Sequence, residues 1–158
     1  MVLGSIFSPS LIKVDLESED KNEVFEELVE VFVANNPHVS RLDLLDAIRA
    51  REDKQSTGIM RGIAIPHGQL DSISGVKGVI GISRNGIEYD SLDREPVHLV
   101  FMLFSSCSSC SFHLGVLHRV ATLLKDPAFF PSMLEQRSSE GVYSTICKYE
   151  DVLLSAFV

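Results

Sequence analysis

The sequence predicts an α/β fold, a single domain in which a mixed β-sheet is flanked by helices. Helical and extended hydrophobic periodicities alternate along the 158 residues, and no repeat, low-complexity stretch or Pro/Gly/Ser-rich linker divides them. A hydrophobic content of 45% is enough for one buried core in a chain of this length. We therefore expect one domain over residues 1–158, with its core at about 8–152.

The first half of the chain predicts two amphipathic helices with recognisable starts. Asp20 and Glu23 form a capping-box pattern, and Ser40 and Asp43 form a second cap pattern. The apolar face expected for the first helix comprises Val24, Phe25, Leu28, Val29 and Phe32. The apolar face expected for the second comprises Leu42, Leu45 and Ile48.

The second half predicts the centre of the sheet and the remaining helices. Val76–Ser83 and Val97–Phe104 have the composition of strands, and Asn85-Gly86 between them is a strong hairpin dipeptide. A helix is expected from about Phe112 to Lys125, followed by two further helices. Its apolar face is expected to hold Val116, Leu117, Val120, Ala121 and Leu124.

Charge and hydropathy argue against several classes of protein. The formal net charge of -8 is unlike a nucleic-acid-binding surface, which is normally basic. The longest strongly apolar stretch, Val97–Phe104, is far shorter than the roughly 20 residues of a membrane-spanning helix. The N-terminus lacks a signal-peptide pattern, and three unevenly spaced cysteines do not resemble a disulfide framework. We expect a cytoplasmic protein that neither inserts into a membrane nor binds nucleic acid.

The segment Ser56–Gly68 presents a histidine. Its glycines allow close approach of the backbone, and Pro66 holds Ile65 in an extended conformation just ahead of His67. A neutral imidazole is a good nucleophile towards a phosphoryl group, and the N–P bond that it forms can pass the group onward. On position alone, an ordinary surface histidine in a turn is the alternative.

The residues around His67 resemble one family. The run Ser-Thr-Gly-Ile at 56–59, followed by Gly-Ile-Ala-Ile-Pro-His-Gly at 62–68, is similar to the active-site motif of the mannitol/fructose-type enzyme IIA proteins of the bacterial phosphotransferase system. That family includes the nitrogen-regulatory IIA proteins. Weaker similarity extends over nearly the whole chain, through residues 20–23, Arg51-Glu52 and Phe112-His113-Leu114. The resemblance implies the mannitol/fructose-type IIA fold, a mixed sheet flanked by helices.

The resemblance also implies the roles of individual residues. The family histidine that matches His67 accepts the phosphoryl group, and the arginine that matches Arg51 neutralises charge on the phosphoryl oxygens. The histidine that matches His113 orients the group as a hydrogen-bond donor. Ser56 and Thr57 are weaker phosphoryl-binding candidates. Neither a metal nor a cofactor is implied.

The same resemblance implies the partners. The phosphoryl donor is HPr or its nitrogen-branch counterpart NPr, and the next partner is a IIB component or a regulated protein. Because the chain contains no IIB or IIC domain, we expect a regulatory role of the nitrogen-regulatory kind rather than sugar uptake. A sugar-transport IIA and a docking module that does not turn over phosphate are the alternatives.

Two features depart from the family pattern or compete with it. Glycine is usual where Met60 stands, and Phe104-Ser105 replaces the usual apolar-Pro pair, so we expect loops of different geometry around the site. Cys107-x-x-Cys110, together with His113, is a pattern also found in zinc and redox sites. We favour an ordinary polar loop, because structural zinc normally takes four ligands and because thioredoxin-type flanking residues are absent.

Overall fold

Six strands and six α-helices make up the computed structural model, which describes residues 2–154 apart from the side chain of Met60. The strands are β1 (Ile12–Lys13), β2 (Gly58–Met60), β3 (Ile63–Ala64), β4 (His67–Gln69), β5 (Val76–Ile87) and β6 (Val97–Ser105). The helices are α1 (Leu3–Ile6), α2 (Lys21–Asn35), α3 (Arg41–Glu52), α4 (Cys110–Lys125), α5 (Phe129–Glu135) and α6 (Ser139–Leu154). Met1 and residues 155–158 of the expected domain lie outside the described residues.

The strands form one mixed sheet in the order β1-β5-β6-β3-β2. β5 and β6 pair as an antiparallel hairpin, and β1 is parallel to β5. On the other edge of β6, β3 and β4 follow each other as parallel strands separated at Pro66, whose carbonyl accepts a hydrogen bond from the Leu103 N–H at 2.9 Å. Because proline has no N–H for a strand ladder, pairing is interrupted there and resumes at His67. The predicted mixed sheet flanked by helices is confirmed.

Both faces of the sheet are buried, as the alternating side chains of β6 show. The odd-numbered residues from Leu99 to Leu103 pack in one cluster with α4, α5 and α6. The even-numbered residues from Val100 to Phe104 pack in a second cluster with α2 and α3. A strand that is buried on both faces has a continuous apolar sequence rather than an alternating one. This explains the unbroken apolar run that begins at Val97.

The helix caps predicted from the sequence are present. At the start of α2, Asp20 Oδ1 accepts from the Glu23 N–H at 2.9 Å, and the Glu23 carboxylate binds the N–H of Glu19 rather than that of Asp20. At the start of α3, Ser40 Oγ accepts from the Asp43 N–H at 3.3 Å. Each cap satisfies an N–H that the first helical turn leaves unpaired. These local bonds fix where the two helices begin.

The Asn85-Gly86 dipeptide is not the hairpin turn that the sequence predicts. It lies inside β5, where Gly86 has a φ of +90° and the pairing with β6 shifts between Ile82 and Ile87. The dipeptide therefore forms an irregularity of the β-bulge kind, which glycine tolerates because it has no Cβ. Residues 88–96 make the connection between the two strands.

Two helices bury residues other than those predicted. In α3, Leu42 is 63% exposed and Leu44 is buried. In α4, Ala121 is exposed and Leu123 is buried. Leu42 and Ala121 each lie about a third of a turn around the helix from the buried stripe. α4 also begins at Cys110, earlier than expected, because a 3₁₀ turn at 107–109 leads directly into it.

Candidate active site

A cavity of about 550 Å³ lies between α3, β4 and the start of α4. Arg51 comes from the last turn of α3, His67 is the first residue of β4, and His113 is the fourth residue of α4. The fold thus brings three residues that are distant in the sequence to one cavity. The rest of the wall is lined by Ala47, Ala50, Lys54, Gly68, Gln69, Cys110, Leu114 and Leu117.

Gly68 allows α3 to approach β4 closely. A Cβ atom at this position would lie 2.9 Å from the carbonyl carbon of Ala47, closer than real side chains come. Any other residue would push α3 away from β4 at Ala47. The glycine that follows His67 therefore sets the distance between the helix that carries Arg51 and the strand that carries His67.

His67 is half-buried and its ring is held by one backbone bond. Nδ1 lies 2.9 Å from the carbonyl oxygen of Ile65. Because a carbonyl only accepts, Nδ1 carries the proton and Nε2 keeps a lone pair. Burial lowers the pKa of His67, and the charge of Arg51 lowers it further, while the Ile65 bond and the charge of Glu52 act in the opposite direction. The ring is therefore neutral and nucleophilic at neutral pH.

His113 lies against His67, with 5.3 Å between the ring centroids and 46° between the ring planes. Its side chain is only 7% exposed, yet within residues 2–154 neither ring nitrogen has a hydrogen-bond partner. Burial lowers the pKa of His113, and the neighbouring His67 lowers it further. A buried ring nitrogen without a partner costs free energy, so this neutral imidazole has a donor available for a group bound in the cavity.

Arg51 contributes positive charge at the α3 side of the cavity. Its Nη1 donates to the carbonyl oxygen of Gln55 at 2.8 Å, which anchors the guanidinium by one of its five N–H donors. Lys54 lines the same cavity. The neighbouring carboxylate of Glu52 forms its ion pair with Lys21 at 3.0 Å. The cavity therefore combines two cations with two neutral imidazoles, a set suited to a bound anion.

Ser56 and Thr57 are not among the residues that line the cavity. Ser56 Oγ accepts from the Gly58 N–H at 3.2 Å. Thr57 Oγ1 donates to the buried carboxylate of Glu52 at 2.6 Å and lies 2.7 Å from the Tyr89 hydroxyl. These hydroxyls already have partners within the protein, and phosphoryl binding by either residue stays a prediction.

Cys107 and Cys110 are exposed free thiols near the cavity. Both contact Gln69, with Sγ 3.7 Å from its Oε1 and 3.2 Å from its Nε2 respectively. The hydrogen bond and charge of Asp71 raise the pKa of Cys107, which disfavours the thiolate needed for metal binding or redox exchange. Over the part of the chain that the structure describes, no three His, Cys, Asp or Glu residues are grouped to hold a metal ion.

Glu52 is the polar residue that the sequence analysis missed. Its side chain is 5% exposed and accepts from both the N–H and the hydroxyl of Thr57. The sequence indicated only its place beside Arg51 in the family-like pair Arg51-Glu52. Its burial depends on Lys21 from α2 and on Tyr89 from the segment after β5, which no local pattern reveals.

Comparison with known proteins yields close matches over most of the chain. The family model described as phosphoenolpyruvate-dependent sugar phosphotransferase system, EIIA 2, matches residues 5–149. The chain is 33% identical over 150 residues to the PTS system fructose-specific EIIABC component of Bacillus subtilis (strain 168). That alignment covers 95% of this chain but only 24% of the relative's length. It is 35% identical over 130 residues to the nitrogen regulatory protein of Escherichia coli (strain K12), covering 81% of this chain and 77% of that one.

A solved structure matches just as fully. The crystal structure of nitrogen regulatory protein IIA-Ntr from Neisseria meningitidis superposes with a TM-score of 0.86 at 29% identity, covering 92% of this chain and 99% of that one. The resemblance first seen around His67 thus extends to the whole arrangement of sheet and helices. The chain belongs to the EIIA 2 family of the phosphoenolpyruvate-dependent sugar phosphotransferase system.

Proposed function

We propose that this chain is a phosphoryl carrier in which His67 binds the phosphoryl group through Nε2. The observation that carries the proposal is the 2.9 Å bond from Nδ1 to the Ile65 carbonyl, which leaves the lone pair on Nε2. His67 shares its cavity with Arg51 and His113. The family match supports a phosphoryl-transfer component, and the tautomer of His67 supports a phosphohistidine as its intermediate.

The proposed step is a displacement in line at phosphorus. The Nε2 lone pair of His67 forms the new N–P bond, and the electron pair of the breaking N–P bond returns to the donor's imidazole. His67 keeps its Nδ1 proton throughout. Positive charge that develops on the ring is stabilised by the Ile65 carbonyl, which already accepts from Nδ1.

Arg51 and His113 stabilise the transferring group from opposite sides. The Arg51 guanidinium neutralises charge on the equatorial oxygens and is already anchored to Gln55. The buried His113 ring, which finds no partner among the described residues, donates one N–H to a phosphoryl oxygen. Its lowered pKa keeps it neutral, so it orients the group and does not compete as a second cation.

The proposed donor is a phosphohistidine on HPr or an NPr-like carrier. A regulatory role is supported by the likeness to nitrogen regulatory proteins, whose length the chain covers almost completely in the Neisseria structure. In that role the phosphorylated form presents added negative charge and selects a different protein target. The Bacillus relative, a fructose-specific EIIABC component, supports the second candidate, a transport IIA that passes phosphate to a separate IIB component.

The proposed unit is one EIIA domain over residues 1–158, with its core at about 8–152, and the match over 5–149 supports it. Of the helices described between residues 2 and 154, none is long and apolar enough to cross a membrane. We place the protein in the cytoplasm because the proposed donors act there. Neither a metal nor a cofactor enters the proposed step.

Intact-mass measurement after incubation with phosphoenolpyruvate, enzyme I and an HPr-like carrier tests the proposal. The wild type should gain one phosphoryl group that is labile to acid and stable to base, and His67→Ala should gain none. His98→Ala is the matched control, because His98 Nδ1 also contacts a backbone carbonyl, that of Ser83 at 2.9 Å, without lining the cavity. Phosphate on His67→Ala at the wild-type rate contradicts the proposal, and a wild type that gains none supports the docking module instead.

A further inference from the structure

A buried network beneath the cavity leads from Glu52 to the nucleophile. We propose that Glu52 is a positioning residue for phosphoryl transfer, which acts through Thr57 and Ile65 to hold the His67 ring in the tautomer that leaves Nε2 unprotonated. This inference rests on the proposed function of His67. It concerns how that histidine is oriented and not whether it carries phosphate.

The first link is a pair of hydrogen bonds from Thr57 to one carboxylate. Glu52 Oε1 accepts from the Thr57 N–H at 3.0 Å, and Oε2 accepts from the Thr57 hydroxyl at 2.6 Å. Lys21 approaches Oε1 to 3.0 Å, so the buried negative charge is also paired. A buried carboxylate whose two oxygens both accept hydrogen bonds fixes its partners in direction. Glu52 thus holds Thr57 by backbone and side chain together.

The second link joins Thr57 to His67 through a single residue. The Thr57 carbonyl accepts from the Ile65 N–H at 3.0 Å, and the Ile65 carbonyl accepts from His67 Nδ1 at 2.9 Å. Pro66 has no N–H, so Ile65 is the last residue before the nucleophile whose backbone can be held on both sides. Displacement of Thr57 therefore moves the acceptor that selects the tautomer of His67.

The hydrogen bonds of the network have a defined direction. The carboxylate of Glu52 can only accept, so the Thr57 hydroxyl donates to it and the Tyr89 hydroxyl donates to Thr57 at 2.7 Å. Burial raises the pKa of Tyr89, and the charge of Glu52 raises it further, which keeps the phenol protonated. Lys21 Nζ lies 5.0 Å from the centre of the Tyr89 ring. The Tyr89 hydroxyl also lies 3.5 Å from Glu52 Oε2, so the carboxylate accepts at the end of the network whichever partner Tyr89 donates to.

Glu52 also acts on His67 through its charge. The other charged or titratable groups that line the cavity with His67 are Arg51 at the end of α3, Lys54 just after α3, and Cys110 and His113 in α4. Burial and Arg51 lower the pKa of His67, whereas the charge of Glu52 raises it. Loss of that charge should lower the pKa, and loss of the hydrogen bonds should free the tautomer. The two contributions of Glu52 can therefore be measured separately.

Two substitutions at Glu52, read by ¹⁵N NMR of His67 in the unphosphorylated protein, test the inference. Glu52→Gln keeps an oxygen for the Thr57 N–H but loses the acceptor of the Thr57 hydroxyl. The pKa of His67 should therefore fall, while the Nδ1–H fraction should drop no further than in Thr57→Val. Glu52→Ala removes both acceptors, so the Nδ1–H fraction should fall and transfer should slow by about ten- to a hundredfold, with the KM for the carrier unchanged. Thr57→Val removes only the hydrogen bond from the Thr57 hydroxyl to Glu52. It should also lower the Nδ1–H fraction, but by less than Glu52→Ala does.

Glu150→Gln is the matched control. Glu150 is 3% exposed, lies 3.4 Å from Arg119 and accepts from the Leu3 N–H, so it is a similarly buried and paired carboxylate distant from this network. This variant should leave the His67 resonances and the transfer rate at wild-type values. An unchanged tautomer in both Glu52→Ala and Thr57→Val overturns the positioning role. A wild-type His67 that shows the Nδ1–H tautomer but never gains phosphate contradicts the proposed function alone.

Discussion

The two walls of the cavity differ in how their polar groups are satisfied. On the α3 side, Glu52 has partners for both oxygens, and the chain of bonds continues to His67. On the α4 side, the buried ring of His113 has no hydrogen-bond partner within residues 2–154. Among the residues that the structure describes, the Cys110 thiol bonds to Gln69 and to the carbonyl of Cys107.

The difference separates two tasks within one site. A buried network whose hydrogen bonds are already formed is ordered before the reaction, so it can orient a nucleophile. A buried donor without a protein partner gains its bond only when an anion is bound, so it favours the bound state over the free one. The buried network of the α3 wall thus prepares His67, whereas His113 on the α4 wall, together with Arg51, recognises the group that His67 receives.

Arg51 should have the largest effect among the residues around His67. Arg51→Ala removes the guanidinium charge and should slow single-turnover transfer from the phosphorylated carrier by about a thousandfold. Arg51→Lys should recover part of the loss, because it restores a point charge without the planar fork. A rate for Arg51→Ala within about threefold of wild type would show that phosphoryl transfer does not depend on the charge of Arg51.

His113→Ala distinguishes the α4 wall from the α3 wall. It should slow transfer by about a hundredfold, as the loss of one transition-state donor does, while phosphate still ends on His67. Because the ring nitrogens make no bond within the described residues, the melting temperature should fall less in His113→Ala than in Glu52→Ala, which leaves buried partners unpaired. Peptide mapping that located the phosphate on His113 in the wild type would reverse the two roles.

The pH dependence of the free energy of unfolding should reflect the lowered pKa values of His67 and His113. Their pKa values are lowered from 6.5, so below that pH the unfolded chain binds more protons than the native state. The free energy of unfolding should therefore fall as the pH drops from about 6.5 through the pKa values of the folded state. Urea denaturation across this range should show a shallower slope for His113→Ala. A slope that the substitution leaves unchanged would refute the lowered pKa of His113.

The cysteine pair should have the smallest effect. Cys107→Ser with Cys110→Ser should change the transfer rate by less than about twofold and the free energy of unfolding by less than about 0.5 kcal/mol, because both thiols are exposed. Transfer kinetics and denaturation in reducing buffer measure these effects. Stoichiometric zinc that binds the wild type and is lost in the double variant would restore the metal alternative and make the α4 wall a ligand site.

The parts of the fold that sequence predicts are those with local causes. The caps at Asp20 and Ser40 are bonds within one turn, and the apolar run from Val97 follows from burial of β6 on both faces. Asn85-Gly86 was misread because the dipeptide satisfies a turn and a bulge equally well, and pairing with β6 decides between them. Leu42 was misplaced because the packing direction of α3 is set by tertiary contacts.

The site residues likewise divide into those that local sequence indicates and those that depend on contacts between distant elements. His67 stands out because Pro66 and the glycines around it act locally, and Arg51 and His113 were found only through family resemblance. Their meeting in one cavity depends on the approach of α3 to β4 at Gly68. Glu52 escaped notice because an acidic residue at a helix end is ordinarily exposed, and its partners come from other elements.

NMR of ¹⁵N-histidine-labelled protein after phosphorylation tests the central claim most directly. The account predicts one phosphohistidine, His67, with phosphorus bonded to Nε2 and the proton retained on Nδ1 beside the Ile65 carbonyl. The ring signals of His113 should shift without gaining coupling to phosphorus. Phosphorus on Nδ1 of His67, or on any other histidine, would contradict the account.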